Sequence, residues 1–495
     1  MTPPQQPASP RDQLEEAERL RQQGKLDRAE SLCNALTRRH PDYVAALHTL
    51  GLVYLDKRSY DRALACLVRA SMFDPDNWMI LTALSMAYLR LDAPEMSVRT
   101  LERALASRPN DPAILATLGE IRREEREYEA AERSYRQALA IDPQLVSAAM
   151  GQALCLAAMG RSQEAARVLE DSYRRGHRSL NLLHIMSTLP ARTLGIDLLA
   201  AIDEWERRGG ELDAEARNTI AFVRAAALDK AGRHAEAWEH LAPANRAIAA
   251  RSQAELKASV SWQEKSLSWL RGAKFSSIEA SDQAPISLFI LGPSRAGKAT
   301  LERLICSLPG VTAGYENPII AKAARRTYQA AAMPPSNSLE ELPSGLWPAF
   351  RENYRQDLLQ RAGSARVFTN TLHGVIHDAA LIARLIPNSR FVILKRDHDD
   401  IALRTYMTKY LAANSYAYDL KAIYQYLRWY DQMIDLTVEK VPEIVRVVRY
   451  ENMVSGPAAV RDAIAGLCGL SADAPPMPEL GDDRECASPY RALMR

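Results

Sequence analysis

Four prolines at a constant spacing constrain the first third of the chain more than any other feature. Pro41, Pro75, Pro109 and Pro143 follow one another at intervals of 34 residues, and each ends a helix-favouring stretch. Proline cannot continue a helix, because it lacks the amide hydrogen and its ring clashes with the preceding turn. The spacing therefore predicts a repeated unit of two helices joined by a turn.

Small residues recur in phase with the prolines. They are Gly51, Ser85 and Gly119 in the first helix of successive units and Ala70, Ala104 and Ala138 in the second. This period and pattern resemble the tetratricopeptide repeat, whose helix pairs bury their apolar faces by stacking on their neighbours. The resemblance implies an α-helical superhelix over residues 11–177, with a degenerate fifth unit, and a concave face that binds a peptide or protein.

Composition along the chain predicts the other boundaries. Residues 1–10 are rich in Pro and Gln, so we expect a disordered tail that lacks the basic and apolar segments of a secretion signal. Residues 178–271 favour helix but lose the period, which predicts a helical continuation of the array. A second domain is expected at residues 285–470, followed by a C-terminal tail at 471–495.

Charge and cysteine content argue against several classes of protein. The formal net charge of +2 gives no reason to expect a nucleic acid as the main partner. The six cysteines are scattered singly, so neither a disulfide framework nor a zinc site is expected. No apolar run reaches the length of about 20 residues that a membrane-spanning helix requires. We therefore predict a cytoplasmic protein without a membrane span.

A strand, a glycine loop and a helix follow one another at the start of the second domain. The apolar run at 286–291 predicts a buried strand, and LERLICSL after the loop predicts a helix. Further strands are predicted at 366–369, 390–394 and 444–449. Strands that alternate with helices are typical of a three-layer α/β/α domain with a parallel sheet, whose ligand lies at the carboxyl ends of the strands.

The glycine loop is of a kind that binds phosphate or sulfate. Gly292, Gly297 and Lys298 satisfy the pattern of the nucleotide triphosphatase loop, but Ala299 stands where the hydroxyl ligand of magnesium should be. The strand at 390–394 also leads into the basic pair Lys395 and Arg396, where a triphosphatase often has an acidic magnesium ligand. A metal-free anion site explains both departures.

Several phrases, in order along the chain, resemble the sulfotransferase family in its bacterial branch fused to tetratricopeptide repeats. The loop at 292–300 matches the family at Gly292, Arg295 and Gly297, and residues 396–400 resemble its R-D-P-x-D phrase. Tyr-Ala-Tyr-Asp at 416–419 and Arg-Tyr-Glu-Asn at 449–452 resemble two later phrases. The resemblance implies 3′-phosphoadenosine 5′-phosphosulfate as the sulfuryl donor, and no metal.

The resemblance also assigns residues to the donor site. They are Gly292, Ser294, Arg295, Ala296, Gly297, Lys298, Ala299, Thr300, Arg396 and Arg404. Arg295 would hold the 5′-phosphosulfate and Arg396 the 3′-phosphate. Lys298 and Arg404 stand where the family has hydroxyl residues, and each could supply replacement charge.

Sulfuryl transfer needs cations on the leaving side and a base on the attacking side. Arg295 and Lys298 fit the first need. Glu316 lies shortly after the helix of the loop, where several family members place a catalytic glutamate, and the alternative for Glu316 is an exposed turn residue. His373 and His377 are four apart on a predicted helix, but without an evident third ligand packing or solvation is favoured over a metal site.

Three functions remain open at this stage. The favoured one is a sulfotransferase-like enzyme that modifies a peptide or protein side chain presented by the repeats. The second is a catalytically inactive scaffold or binding protein that keeps a degenerate sulfotransferase domain. A magnesium-dependent kinase or triphosphatase is a distant third, and the sequence does not determine the acceptor, the oligomeric state or the organism.

Overall fold

The structure is a computed structural model, and it describes residues 9–190, 193–208, 212–273, 285–334, 336, 339–410, 414–471, 476–478 and 480–494. Most of the predicted N-terminal tail lies outside the described residues. The chain divides into two compact units, Met1–His177 and Arg178–Arg495. Among the described helices, none combines the length and the apolar character that crossing a bilayer demands.

The first unit consists of helices in antiparallel pairs. They are α1 (Pro10–Gln22), α2 (Leu26–Arg39), α3 (Val44–Asp56), α4 (Tyr60–Phe73), α5 (Trp78–Arg90), α6 (Pro94–Ser107), α7 (Pro112–Glu124), α8 (Tyr128–Ile141), α9 (Val146–Ala158) and α10 (Ser162–Arg174). Each of the four periodic prolines falls in the turn between two pairs. The predicted helical hairpins and the fifth, degenerate unit are therefore confirmed.

The small residues of the repeat allow close helix packing. A Cβ atom at Gly51 would lie 2.6 Å from Leu67 on α4, and one at Gly119 would lie 2.9 Å from the Tyr135 ring on α8. Real Cβ atoms do not approach that closely, so the ring and the methyl groups occupy the space that a larger residue would need. Small residues therefore recur at these positions because the neighbouring helix packs directly against them.

The second unit contains the sheet and the remaining helices. The strands are β1 (Ile286–Leu291), β2 (Val311–Thr312), β3 (Val367–Asn370), β4 (Ser389–Lys395) and β5 (Val445–Arg449). The helices before β1 are α11 (Leu180–Thr188), α12 (Leu198–Arg207), α13 (Ala214–Lys230), α14 (His234–Arg251) and α15 (Gln253–Gly272). Those after it are α16 (Lys298–Ile305), α17 (Ile319–Ala330), α18 (Trp347–Ala362), α19 (Ala379–Leu385), α20 (His398–Tyr406), α21 (Leu420–Lys440), α22 (Tyr450–Ser455) and α23 (Pro457–Leu467).

The five strands form one parallel sheet in the order β2-β3-β1-β4-β5. Alternate residues of β1 enter two separate cores: Leu288 and Ile290 pack with α16, and Phe289 and Leu291 pack with α17, α18 and α21. A strand covered by helices on both faces is apolar throughout, which is why β1 has no polar alternation. The predicted three-layer arrangement with a parallel sheet is confirmed.

Helices α11 to α15 belong to the same compact unit as the sheet. The amide of Asn245 on α14 donates to the carbonyl oxygen of Tyr406 at 3.1 Å, and the indole of Trp429 donates to the carbonyl oxygen of Gln263 at 3.0 Å. Both donors are buried. These bonds connect the helices before β1 to α20 and α21, so the helical segment and the α/β segment share one core.

One predicted helix is shorter than its apolar pattern indicates. The pattern covers residues 373–386, whereas α19 begins at Ala379. The side chain of Asn370 accepts a hydrogen bond from the backbone amide of Leu372 at 2.8 Å, which stabilises a turn after β3 in place of helix. His373 and His377 therefore do not lie on a common helix.

Candidate active site

The loop between β1 and α16 lies at the carboxyl end of the central strand. Gly297 has φ of 102°, and a Cβ there would lie 2.7 Å from the Tyr450 ring, so the position requires glycine. Within the described residues the backbone amides of Gly297, Lys298 and Ala299 have no protein acceptor. Free amides at a helix N-terminus favour an anion.

Lys298 is directed back over the loop. Its ammonium group donates to the carbonyl oxygens of Gly292 at 2.9 Å and Pro293 at 3.1 Å. Burial lowers the pKa of Lys298 to about 8, because taking the charge out of water outweighs the attraction of Glu316, and Arg295 adds to the lowering. The loop therefore holds a lysine whose pKa of about 8 lies well below its usual value.

Tyrosines of the second unit fix the loop, and Arg295 is exposed on it. The Tyr430 hydroxyl accepts from the backbone amide of Gly292 at 2.9 Å, and Ser294 and Tyr410 share a hydrogen bond at 3.0 Å. Arg295 has a left-handed backbone with φ of 67°. Ala296 is completely buried and Ala299 is exposed, so the loop offers positive charge at positions 295 and 298 and no hydroxyl at 299.

The segment that carries Glu316 is held by a buried carboxylate. Glu302 on α16 accepts hydrogen bonds from the Thr369 hydroxyl and from the backbone amide of Tyr315, the latter at 3.1 Å. The amide of Gly314 donates to the same hydroxyl at 2.9 Å, and a Cβ on Gly314 would lie 2.0 Å from the Thr369 carbonyl oxygen. The segment thus lies directly on the end of β3.

A pair of asparagines completes this attachment. The Asn317 amide donates to the Thr369 carbonyl oxygen at 3.2 Å, and the Asn370 amide donates to the Asn317 side-chain oxygen at 3.0 Å. Both asparagines are buried. Glu316, which lies between Tyr315 and Asn317 in the chain, is half-buried and interacts electrostatically with Lys298. The structure therefore brings Glu316 and Lys298 together at the ends of β1 and β3.

Arg396 follows β4 and is almost completely buried. One of its guanidinium nitrogens donates to the carbonyl oxygen of Arg295 at 3.3 Å, and the group lies 4.3 Å from the centre of the Tyr450 ring. The other terminal nitrogen lies 3.4 Å from the Asp400 carboxylate and 3.2 Å from that of Asp483, near the C-terminus. Arg396 is thus adjacent to the loop but already neutralised by carboxylates.

Arg404 on α20 pairs with the same C-terminal aspartate. Its guanidinium makes two hydrogen bonds to the Asp483 carboxylate, at 3.2 and 2.5 Å, and lies 3.5 Å from Asp229 on α13. Such forked pairing is the strong geometry for arginine and a carboxylate. Asp483 therefore joins Arg396, to which the resemblance assigns the 3′-phosphate, and Arg404, which the resemblance places in the donor site.

Three residues that sequence reasoning missed are prominent in this arrangement. Glu302 is a carboxylate on the buried side of α16, and a charged residue among apolar ones in the sequence could have indicated a structural or functional role. Tyr430 lies on α21 close to Tyr426 and Trp429, where it is buried and reaches the loop, and this run of aromatic residues in the sequence was the available signal. Asp483 gave no local signal, because its role depends on residues more than 75 positions away.

Comparisons with known proteins agree with the two units. Residues 285–474 match the model of the sulfotransferase family. Residues 20–84, 82–145 and 116–177 match models of the tetratricopeptide repeat. The chain carries tetratricopeptide repeats followed by a sulfotransferase-family domain. The family match of that domain spans all five strands, the glycine loop, Glu316, Arg396 and Arg404.

Solved structures that are similar to the chain include proteins described as tetratricopeptide repeat proteins. A crystal structure of MamA is 21% identical, with a TM-score of 0.31 over 32% of this chain and 93% of its own. A tetratricopeptide repeat protein from Parabacteroides merdae is 20% identical, with a TM-score of 0.37 over 48% of this chain and 91% of its own. YrrB, described as a TPR protein with an unusual peptide-binding site, is 19% identical, with a TM-score of 0.31 over 35% and 89%. No curated protein matches the chain.

Proposed function

We propose that the sulfotransferase-family domain transfers a sulfuryl group from 3′-phosphoadenosine 5′-phosphosulfate to a peptide or protein side chain presented by the repeats. The observation that carries the proposal is the grouping of Arg295, Lys298 and Glu316 around one glycine loop. Two cations and a carboxylate at the ends of β1 and β3 supply both sides of a transfer reaction. The family match supports a transferase, and Ala299 weighs against a magnesium-nucleotide site.

The proposed step is an in-line displacement at sulfur. An acceptor oxygen or nitrogen forms a bond to sulfur while the bond from sulfur to the bridging phosphate oxygen breaks. The proton of the acceptor passes to the Glu316 carboxylate, and adenosine 3′,5′-bisphosphate leaves with the electron pair. Arg295, Lys298 and the free amides of the loop offset the negative charge that develops on the leaving phosphate.

The fit of the donor differs between its two ends. At the loop, a helix N-terminus with free amides, an exposed arginine and a half-buried lysine suits the 5′-phosphosulfate. At Arg396 and Arg404, the proposed 3′-phosphate position, Asp483 already accepts hydrogen bonds from both guanidinium groups. Donor binding at that end therefore involves competition with a carboxylate of this chain.

The proposed acceptor site on the repeats rests on the tetratricopeptide matches. Several apolar side chains of the first unit are exposed, and on α5 they include Met79 and Met86, which are seven positions apart and so lie on one face of the helix. Flexible methionine side chains adapt to varied apolar partners. We propose that this face contacts the acceptor chain.

Nucleotide titration tests the donor assignment. We expect adenosine 3′,5′-bisphosphate to bind the purified protein without added metal, as measured by calorimetry, and to bind more tightly than ATP with magnesium. The reason is that the loop offers charge but no hydroxyl at position 299. Absence of bisphosphate binding by the folded protein contradicts the proposed function, and preferential binding of magnesium-ATP supports a kinase or triphosphatase.

Arg295→Ala is expected to weaken bisphosphate binding about 30-fold, the effect of about 2 kcal/mol for a lost charge-assisted contact. The backbone conformation at position 295 suits Ala no less than Arg, so the change removes charge without new strain. Calorimetry measures the effect. Arg355→Ala, which removes an exposed arginine paired with Glu352 on α18, is the control, and equal affinity in the two variants contradicts the role of Arg295.

Bisphosphate affinity is expected to fall as the pH rises above about 8. Burial lowers the pKa of Lys298 to about 8, so above that pH the free protein must take up a proton before Lys298 can pair with a phosphate. Affinity measured by calorimetry at constant salt should fall by up to about tenfold per pH unit above 8. Lys298→Arg keeps its charge at these pH values, so a decline of the same size in that variant contradicts the assignment.

A second candidate function is a nucleotide-binding or scaffold protein without turnover. The observation in its favour is that Arg396 is buried beneath Tyr450 and bonded to Asp400 and Asp483. A domain in this state would keep the fold while losing the 3′-phosphate contact. Bisphosphate binding combined with no transfer of radiolabelled sulfuryl groups to any peptide tested supports this second function.

A further inference from the structure

The C-terminal segment, residues 480–494, covers the part of the candidate site that contains Arg396 and Arg404. Asp400 on α20 accepts hydrogen bonds from the backbone amides of Glu485 and Ala487, each at 2.9 Å. Tyr490 is completely buried, packs with Leu403, and donates its hydroxyl to Asp229 at 2.7 Å. The segment is therefore anchored on α20 and α13 at several points beyond Asp483.

Within this segment, Asp483 is positioned between two arginines. Its carboxylate accepts two hydrogen bonds from Arg404 and one from Arg396, and its carbonyl oxygen accepts a further one from Arg396. The Asp483 side chain is 39% exposed, whereas that of Arg396 is 3% exposed. Asp483 thus lies on the solvent side of Arg396, in the path of an incoming anion.

The balance of charges around Arg396 and Arg404 disfavours the binding of a phosphate while Asp483 is present. Arg396 and Arg404 contribute two positive charges, and Asp229, Asp400 and Asp483 within the same cluster contribute three negative ones. A phosphate monoester carries between one and two negative charges near neutral pH. With Asp483 in place the phosphate meets a net negative cluster, and without it the two arginines and two aspartates balance.

We propose that Asp483 is an internal competitor for the 3′-phosphate of the donor nucleotide. The inference rests on the proposed donor, and it adds regulation of the same site. The carboxylate occupies the arginine pair in the free protein, and a nucleotide with a 3′-phosphate binds when Asp483 swings out. The apparent affinity for such a nucleotide is the affinity of the open molecules multiplied by the fraction of molecules in which Asp483 has left.

The neighbouring aspartate provides a matched control. Asp482 pairs with Arg484 at 2.6 Å and is exposed, so Asp482→Asn changes the charge of the segment without freeing Arg396 or Arg404. Asp483→Asn keeps the shape of the side chain and removes its charge. Asp483→Ser is a second variant, and thermal denaturation establishes that each variant is folded.

The experiment compares two nucleotides by calorimetry at constant salt. Adenosine 3′,5′-bisphosphate should bind Asp483→Asn at least about tenfold more tightly than the parent protein, whereas adenosine 5′-monophosphate should bind both equally. Asp482→Asn should match the parent for both ligands. Equal bisphosphate affinity in the parent and in both folded Asp483 variants overturns the competitor role while leaving the donor assignment intact. Absence of bisphosphate binding in all of them overturns both.

Discussion

Glu316→Gln is expected to lower turnover about 100-fold or more while leaving bisphosphate affinity unchanged. A positioned general base contributes between about 100-fold and 10,000-fold to a rate, and glutamine keeps the shape of the side chain but cannot accept the proton. The measurement is the rate of transfer of a radiolabelled sulfuryl group at saturating donor, with calorimetry of the bisphosphate on the same preparations.

Two other glutamates separate catalysis from structure in this test. Glu352→Gln, on the exposed side of α18, should leave both turnover and binding as they are. Glu302→Gln weakens the attachment of the 314–317 segment, because Glu302 accepts from Thr369 and Tyr315, so we expect reduced turnover and a lower melting temperature together. Unchanged turnover in Glu316→Gln makes Glu316 a turn residue, and the proposed base must then be sought elsewhere.

Removal of residues 1–177 is expected to raise the KM for a peptide acceptor about 100-fold or more, with donor affinity nearly unchanged. The cut falls at the boundary between the two compact units, so the sheet and helices α11 to α15 remain together. Losing one of two linked binding regions removes an effective-concentration gain of about 100-fold to 10,000-fold. Steady-state kinetics with a peptide acceptor of the full-length protein measure the change.

Substitutions within α5 refine the same prediction. Met79→Ser together with Met86→Ser should raise the KM for the peptide, because both methionines are exposed and their loss leaves the helical core intact. Met477→Ser, an exposed methionine shortly before the C-terminal segment, is the control. An equal loss of donor and acceptor affinity after the truncation, in a protein that is still folded, contradicts separate roles for the two units.

The candidate site divides into a part that local sequence predicted and a part that it did not. The loop residues Gly292, Gly297 and Lys298 were identifiable because a glycine loop between a strand and a helix has few structural solutions. Their surroundings are not local: Tyr430 and Tyr450, which contact the loop, come from α21 and from the first residue of α22. Glu316 was predicted from its position shortly after the helix of the loop and from the resemblance to the family, and its placement near Lys298 follows from the attachment of residues 314–317 to β3.

Arg396 shows how tertiary structure changes the meaning of a motif residue. By sequence it ends a strand and begins a phrase typical of a phosphate contact, which predicts an available guanidinium. In the fold it is covered by Tyr450 and bonded to Asp400 and Asp483. Whether an arginine is available for a ligand depends on all the carboxylates within reach, and those come here from α20 and from the C-terminal segment.

The sequence by itself determined the repeat, four of the five strands and the glycine loop, but not the two-residue strand β2. Each of the features it determined depends on residues close together in the chain. Proline spacing, apolar runs and glycine are local restrictions on the backbone, and they act before any tertiary contact forms. Tertiary structure alone decided that β1 lies between β3 and β4, that Glu302 supports the Glu316 segment, and that Asp483 reaches Arg396 and Arg404. These are contacts between residues that are distant in the chain. They depend on how the layers of the fold pack and on which opposite charges lie near each buried charge, and no single stretch of sequence encodes either.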